Sequence, residues 1–293
     1  MKKTVLIINP VAGRGKARRL ENEIVRRLKI NFPKLEIYRS QYTGHAREIA
    51  GRVKNDAGLI IAAGGDGTVH EVVNGMMGGA SALAVIPIGS GNDFTKMLNL
   101  PREPAEAVEV ICRNQRTKVD IGKAGDHYFP NGLGMGFDAW VVRESRRIKR
   151  LRGFSIYLYA VLKTVFLYNN HQVKLYINGH VEETEIYMIA VGNGRAMGGG
   201  FYLTPQASIT DGKLDVCIIH GLKKREVFQN LVKAIKGNHT QMRQVSMERT
   251  DRLKMQCQQG IAVHADGELL GMDIHEMEIT VLPAALEVIH QPS

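Results

Sequence analysis

The hydrophobic positions along this chain follow two different rules. Up to about residue 120, short unbroken apolar runs alternate with stretches of helical period. Residues 5–8 and 83–88 read as fully buried strands, as does the run 59–63, which ends in Gly64 and Gly65. Residues 35–38 alternate apolar and polar, the period of a half-buried strand. Between these runs, Leu20, Ile24 and Leu28 recur at helical spacing within 14–30, and Ile49 and Val53 share one face of 45–54. A third helix is expected over 68–77. A βαβα order with unbroken apolar strands predicts a mostly parallel sheet covered by helices on both faces.

From about residue 118 the rule changes. Strands are expected at 119–129, 173–178, 185–192, 214–219, 253–257, 261–265 and 275–282, with turn pairs such as Asn178-Gly179 and Asp211-Gly212 between them. Helices near 139–168 and 223–236 interrupt them. The chain therefore reads as an α/β domain over 1–120 and a mainly β domain over 121–293, with the extreme C-terminus packing back on the first. No Ser/Gly-rich or Pro-rich linker marks the boundary, and no internal repeat is present.

Composition narrows the class. A chain of 293 residues, 44% hydrophobic and 23% charged, can bury a core in each domain and is not disordered. Three cysteines, none in a CxxC pair, exclude a disulfide framework and a Cys-built zinc site and suit a reducing, cytoplasmic location. The opening apolar run stops at Asn9-Pro10, too short for a secretory leader, and no stretch reaches the ~20 apolar residues of a membrane span. The 39 Lys and Arg outnumber the 29 Asp and Glu, a net charge of +10 that favours acidic partners. With one Trp and nine Tyr, and no aromatic-interleaved basic ribbon, nucleic acid is weakly supported.

Three turns rich in glycine follow expected strands. They are Asn9-Pro10-Val11-Ala12-Gly13-Arg14-Gly15-Lys16, Gly64-Gly65-Asp66-Gly67-Thr68 and Pro87-Ile88-Gly89-Ser90-Gly91-Asn92-Asp93. Open α/β sheets bind ligands at such strand ends. Neither common nucleotide fingerprint fits: Arg18 stands where a dinucleotide turn needs Gly, and Ala17 follows Lys16 where a P-loop needs Ser or Thr. Glycine still lets phosphate oxygens approach backbone N–H groups, and the second turn opens a helix whose N-terminus favours anions. Asp66 would repel phosphate unless a cation such as Mg²⁺ bridges them; it equally reads as a helix cap.

These blocks, in this order, resemble the diacylglycerol kinase catalytic-domain family, which includes bacterial lipid kinases. The GGDGT turn alone is shared with NAD kinases; the Pro87–Asp93 block favours the lipid branch. The resemblance implies a Rossmann-like α/β domain of phosphofructokinase/NAD-kinase type followed by a mainly β sandwich. It implies ATP contacts from Asn9, Thr43, Gly65, Asp66, Gly67, Thr68, Val69, His70, Glu71 and Ser90, although Thr43 equally reads as a helix N-cap. In Asp266-Gly267-Glu268 it implies that Glu268 is the base for a lipid hydroxyl, with Asp266 orienting it or holding metal. Asp-Gly is also a common hairpin turn. A second, structural Mg²⁺ is implied at Asp211 with backbone oxygens of Ser208 and Lys213. The implied function is an ATP- and Mg²⁺-dependent lipid kinase; the alternatives are an NAD kinase-like enzyme and a non-catalytic nucleotide- or nucleic-acid-binding protein.

Arg143, Arg146, Arg147, Lys149, Arg150 and Arg152 lead into the aromatic-rich apolar stretch 154–167. A basic cluster beside an apolar segment suits the peripheral surface of an anionic membrane, and equally a solvated turn before a core helix. A homodimer is compatible with the sequence.

Overall fold

Strand β1 (Lys3–Ile8) begins the first sheet, with Val5 to Ile8 fully buried. Helix α1 (Ala12–Asn31) opens irregularly: Gly13, Arg14 and Gly15 all take positive φ, and the regular turns then bury Ala17, Ile24 and Leu28. The alternation continues through β2 (Leu35–Arg39), α2 (His45–Val53), β3 (Ala57–Gly64), α3 (Asp66–Met76) and β4 (Ala82–Pro87). Two helices that periodicity did not suggest follow, α4 (Asp93–Met97) and α5 (Pro104–Arg113). The strand order is β4-β3-β1-β2, and every pairing is parallel. A parallel register brings the C-terminal ends of β1, β3 and β4 to one edge, so the three glycine-rich turns share it.

This computed structural model describes residues 3–148 and 154–292. The chain divides into two compact units, 1–119 with 284–293, and 120–283. Strand β5 (Arg116–Ala124) leads into the second, followed by β6 (His127–Phe129), β7 (Gly132–Gly136), α6 (Phe137–Ser145), α7 (Phe154–Leu167), β8 (His171–Ile177), β9 (His180–Gly192), β10 (Leu214–His220), α8 (Lys224–Lys236), β11 (Val245–Thr250), β12 (Arg252–Ala265) and β13 (Glu268–Ile289). The helical region expected near 139–168 is thus two helices, and Lys149, Arg150 and Arg152 lie outside the described residues.

The second unit's strands pair antiparallel. Strands β9 and β12 each pair with β8 through their first halves and with β7 through their second halves. The strands thereby enclose one apolar core, including Leu133, Met135, Leu175, Ile189, Leu253 and Val263. A second cluster packs α6, α7 and α8 on the outer face through Phe137, Val141, Val161, Tyr187, Cys217 and Val227. Strand β13 is 22 residues long: its beginning pairs with β12, while Val288 lies parallel to Leu83 of β4.

Candidate active site

In the first unit the expected nucleotide residues come together along one sheet edge. Asn9 follows β1 and donates from Nδ2 to the Thr68 hydroxyl at 3.1 Å, while its Oδ1 accepts the Val11 N–H. The second and third turns meet glycine on glycine: a Cβ on Gly89 would stand 2.5 Å from Gly65 Cα. Side chains at either position would push the two turns apart. Asp66 accepts the Asn92 N–H at 2.8 Å on one carboxylate oxygen and the Asp93 N–H at 2.7 Å on the other. It is therefore a clamp between two turns; the cap position of α3 belongs to Gly65, with no side-chain cap.

Glu71 acts in the same way on a third segment. Its two oxygens accept the Gly44 and Ala46 N–H groups at 2.8 and 3.1 Å, closing the N-terminus of α2. The expectation that Thr43 caps this helix is corrected: Gly44 holds the cap position without a side-chain cap, and the carboxylate comes from α3. Thr43 and Ser90 are exposed, whereas Val69 and His70 are buried in α3. The edge thus carries three glycine-rich turns, the N-terminus of α3 and two exposed hydroxyls, a set suited to phosphate. Carboxylate oxygens accept more than one partner, so Asp66 can clamp the turns and also face a hard cation such as Mg²⁺.

In the second unit, Asp266 and Gly267 form the turn between β12 and β13. Asp266 takes a left-handed φ of 49°, and its Oδ1 accepts the N–H groups of Asn131 and Gly132 at 3.2 and 2.9 Å. The expectation of a tight hairpin holds, and the turn places Glu268 at the start of β13. Arg146, at the end of α6, donates to Glu268 Oε2 at 2.6 Å and to the Gly267 carbonyl at 2.9 Å. Both side chains are more than a third exposed, so this pair is worth only ~1 kcal/mol or less and yields readily to a substrate. Of the basic run, Arg147 pairs with Glu144 and Arg143 lies over the Trp140 ring, so its described members make internal contacts.

The expected metal residues also lie close in sequence and space. Asp211 accepts the Lys213 N–H at 3.0 Å and pairs with the Arg249 guanidinium. Asp215 is buried, and its Oδ2 has no hydrogen-bond partner. Burial pushes its carboxyl above the usual carboxylate range, and Arg249 opposes that shift. A carboxylate with carbonyl oxygens is chemically a hard-cation donor set. Among the described residues no group of three His, Cys, Asp or Glu side chains could hold a metal; the set at Asp211 has one such side chain and relies on backbone oxygen.

Sequence reading missed an apolar cavity, partly open to solvent, between the helices and sheet of the second unit. Phe137, Val141, Val161, Met197, Phe201 and Leu231 help to line it. Its polar positions are few: Asp138, Asn230, His239 and the tyrosines Tyr157 and Tyr187. The Tyr187 hydroxyl and His239 Nδ1 are buried without a partner. Burial pushes the His239 imidazole below its ordinary value and the Tyr187 phenol far above. Asp138 was a lone acid in an apolar stretch, which was the one available signal.

Comparison with known proteins gives two family matches: the diacylglycerol kinase catalytic domain over residues 3–124, and the YegS C-terminal NAD kinase beta sandwich-like domain over residues 132–290. The chain belongs to the diacylglycerol kinase catalytic-domain family. Its relatives include a Chromohalobacter salexigens protein named "Probable lipid kinase YegS-like", 38% identical over 61% of this chain and 60% of that protein. The diacylglycerol kinase of Bacillus subtilis is 27% identical over 93% of this chain and 91% of its own. A crystal structure of a diacylglycerol kinase from Bacillus anthracis superposes with a TM-score of 0.79 at 26% identity, covering 99% of this chain and 97% of that one. Yeast NADH kinase matches in fold alone, at a TM-score of 0.55 and 11% identity over 100% of this chain and 84% of that one. This lipid-kinase family member thus has the expected architecture, an α/β N-terminal domain and a β sandwich-like C-terminal domain.

Proposed function

We propose that this protein is an ATP- and Mg²⁺-dependent lipid kinase that transfers the γ-phosphoryl group to the hydroxyl of a diacylglycerol-class lipid. The hydroxyl oxygen forms a bond to the γ-phosphorus as the bond to the β,γ-bridging oxygen breaks. ADP leaves, and Glu268 takes the hydroxyl proton. The turns at Asn9, 64–68 and 89–93 hold the phosphates on backbone N–H groups, with Thr43 and Ser90 as outward hydroxyls. Mg²⁺ bound with the nucleotide at Asp66 would supply neutralisation of phosphate charge, and a second at Asp211 would be structural.

The observation that carries this reading is the apolar cavity, with Asp138 at its wall and Glu268 on the turn that His264 ties to Asp138. Acyl chains gain roughly 0.8 kcal/mol for each CH₂ they bury in such a space. A charged dinucleotide would lose its hydration there, which counts against the NAD kinase alternative. Unpartnered polar atoms at Tyr187 and His239 favour a lipid with ester or hydroxyl groups over a bare hydrocarbon.

The test is transfer of labelled phosphate from ATP to diacylglycerol in mixed micelles, with NAD offered in parallel. Label in phospholipid is expected; label only in NADP, or in neither, refutes the reading. Glu268→Gln should lower kcat by about 10²–10⁴-fold while nucleotide affinity stays within about twofold. An unchanged kcat removes Glu268 from the chemistry.

A further inference from the structure

The mechanism above gives His264 no chemical step, yet its surroundings are unusual. It lies on β12, 2% exposed, two residues before Asp266. Its Nδ1 accepts the Gly267 N–H at 3.2 Å, so the ring proton sits on Nε2, which donates to Asp138 Oδ2 at 2.8 Å. Asp138, in the first turn of α6, is 5% exposed and lines the apolar cavity. Its Oδ1 accepts the hydroxyl of Tyr157, another lining residue, at 3.3 Å. One hydrogen-bonded series therefore runs from the cavity wall to the amide just before Glu268.

The backbone reserves space for this pair. Gly134 on β7 stands directly opposite His264 on β12. A Cβ there would lie 2.4 Å from both Asp138 Oδ2 and His264 Nε2. Stability alone does not explain the arrangement, because a buried carboxylate–imidazole pair is commonly no better than apolar residues of equal volume. The turn is also held on its other side, where Asp266 accepts the Asn131 and Gly132 N–H groups.

We propose that His264 is a positioning residue: it fixes the turn that carries Glu268 and, through Asp138, joins that turn to the polar end of the cavity. Seating of the acyl chains and orientation of the base are then one event. This rests on the lipid-kinase reading.

Two substitutions separate the two bonds. Asn places an amide oxygen near the position of Nδ1 but cannot reach Asp138. Gln places an amide nitrogen near the position of Nε2 but gives up the Gly267 N–H. His264→Asn should keep kcat within about threefold and raise KM for long-chain diacylglycerol about tenfold or more. His264→Gln should lower kcat by about 10–100-fold with KM nearly unchanged, the scale of a small misplacement of a reacting group. Hydrogen exchange at the Gly267 amide should accelerate about tenfold in His264→Gln and stay near wild type in His264→Asn. Matching behaviour of the two variants in both readouts overturns the proposal, as does activity loss that merely follows the folded fraction measured by circular dichroism. If the wild-type protein phosphorylates no lipid, the kinase reading falls, and the exchange comparison still decides whether His264 holds the turn.

Discussion

Asp66 and Glu71 stand five positions apart on one helix, and each gives both carboxylate oxygens to backbone N–H groups of another loop. Charge-assisted bonds of this kind contribute about 1.5–3 kcal/mol each, more than a surface ion pair does. The acidic side chains of this sheet edge are thus engaged in holding its turns together. The turns were legible as motifs because glycine, asparagine and aspartate cluster after apolar runs. Which oxygen met which N–H was not legible, because those partners lie 25–27 positions apart and no local spacing encodes them. The same geometry gives a prediction. Gly89→Ala puts a methyl group against Gly65 backbone, which cannot swing aside as a side chain can. It should cost about 1–3 kcal/mol of stability and weaken ATP binding at least about tenfold. Chemical denaturation and nucleotide titration check both, and wild-type values in the two would show that the turns tolerate separation.

Helix α6 touches the β12–β13 turn from both of its ends, through Asp138 by way of His264 and through Arg146 directly. Glu144 holds α7 against it. This carboxylate is 2% exposed and accepts the Lys163 ammonium at 2.7 Å and Arg147 at 3.0 Å. The Lys163 hydrogen bond, opposed by burial, holds its carboxyl below the usual carboxylate range. The resulting stabilisation is fully present above the ordinary carboxylate pKa of about 4.3 and is lost as pH falls through the lower folded value. Replacing Glu144 with Gln should therefore lower Tm at pH 6, with the gap to wild type closing below about pH 4. A gap that does not change with pH would exclude this linkage. The parallel strands were legible because burial on both faces leaves continuous apolar runs. Strand β13 was legible only over 275–282, because Gly271 and Pro283 break its pattern although its pairing carries it from residue 268 to 289. Helix α5 was missed for another reason: its amphipathic stripe is short and lies outside the alternating units that guided the reading.

At the scale of the whole molecule, no helix among the described residues is long and apolar enough to cross a membrane. The solvent stripe of α7 is nonetheless mostly apolar, with Tyr159, Leu162, Phe166 and Leu167 exposed around Lys163. Phe166 lies at a tilt beside Phe228 of α8, 5.6 Å between ring centroids, and Val232 is exposed one turn further. Lys224, Arg225, Lys233 and Lys236 share that exposed side of α8. A peripheral contact with anionic lipid follows as a proposal, at about 1 kcal/mol per cation near the surface. Phe166→Ser with Phe228→Ser should reduce co-sedimentation with phosphatidylglycerol-containing vesicles about tenfold or more, and neutral phosphatidylcholine vesicles should bind the native protein weakly. Equal binding of both proteins to both vesicles would rule the patch out. The long strand β13 bears on how the protein is made. Because Val288 is the partner of Leu83, the first sheet gains this neighbour only once the ribosome has synthesised nearly everything else. The first unit, although translated first, therefore completes its sheet with the last segment made, and shortening the chain near residue 284 should injure it before the second unit.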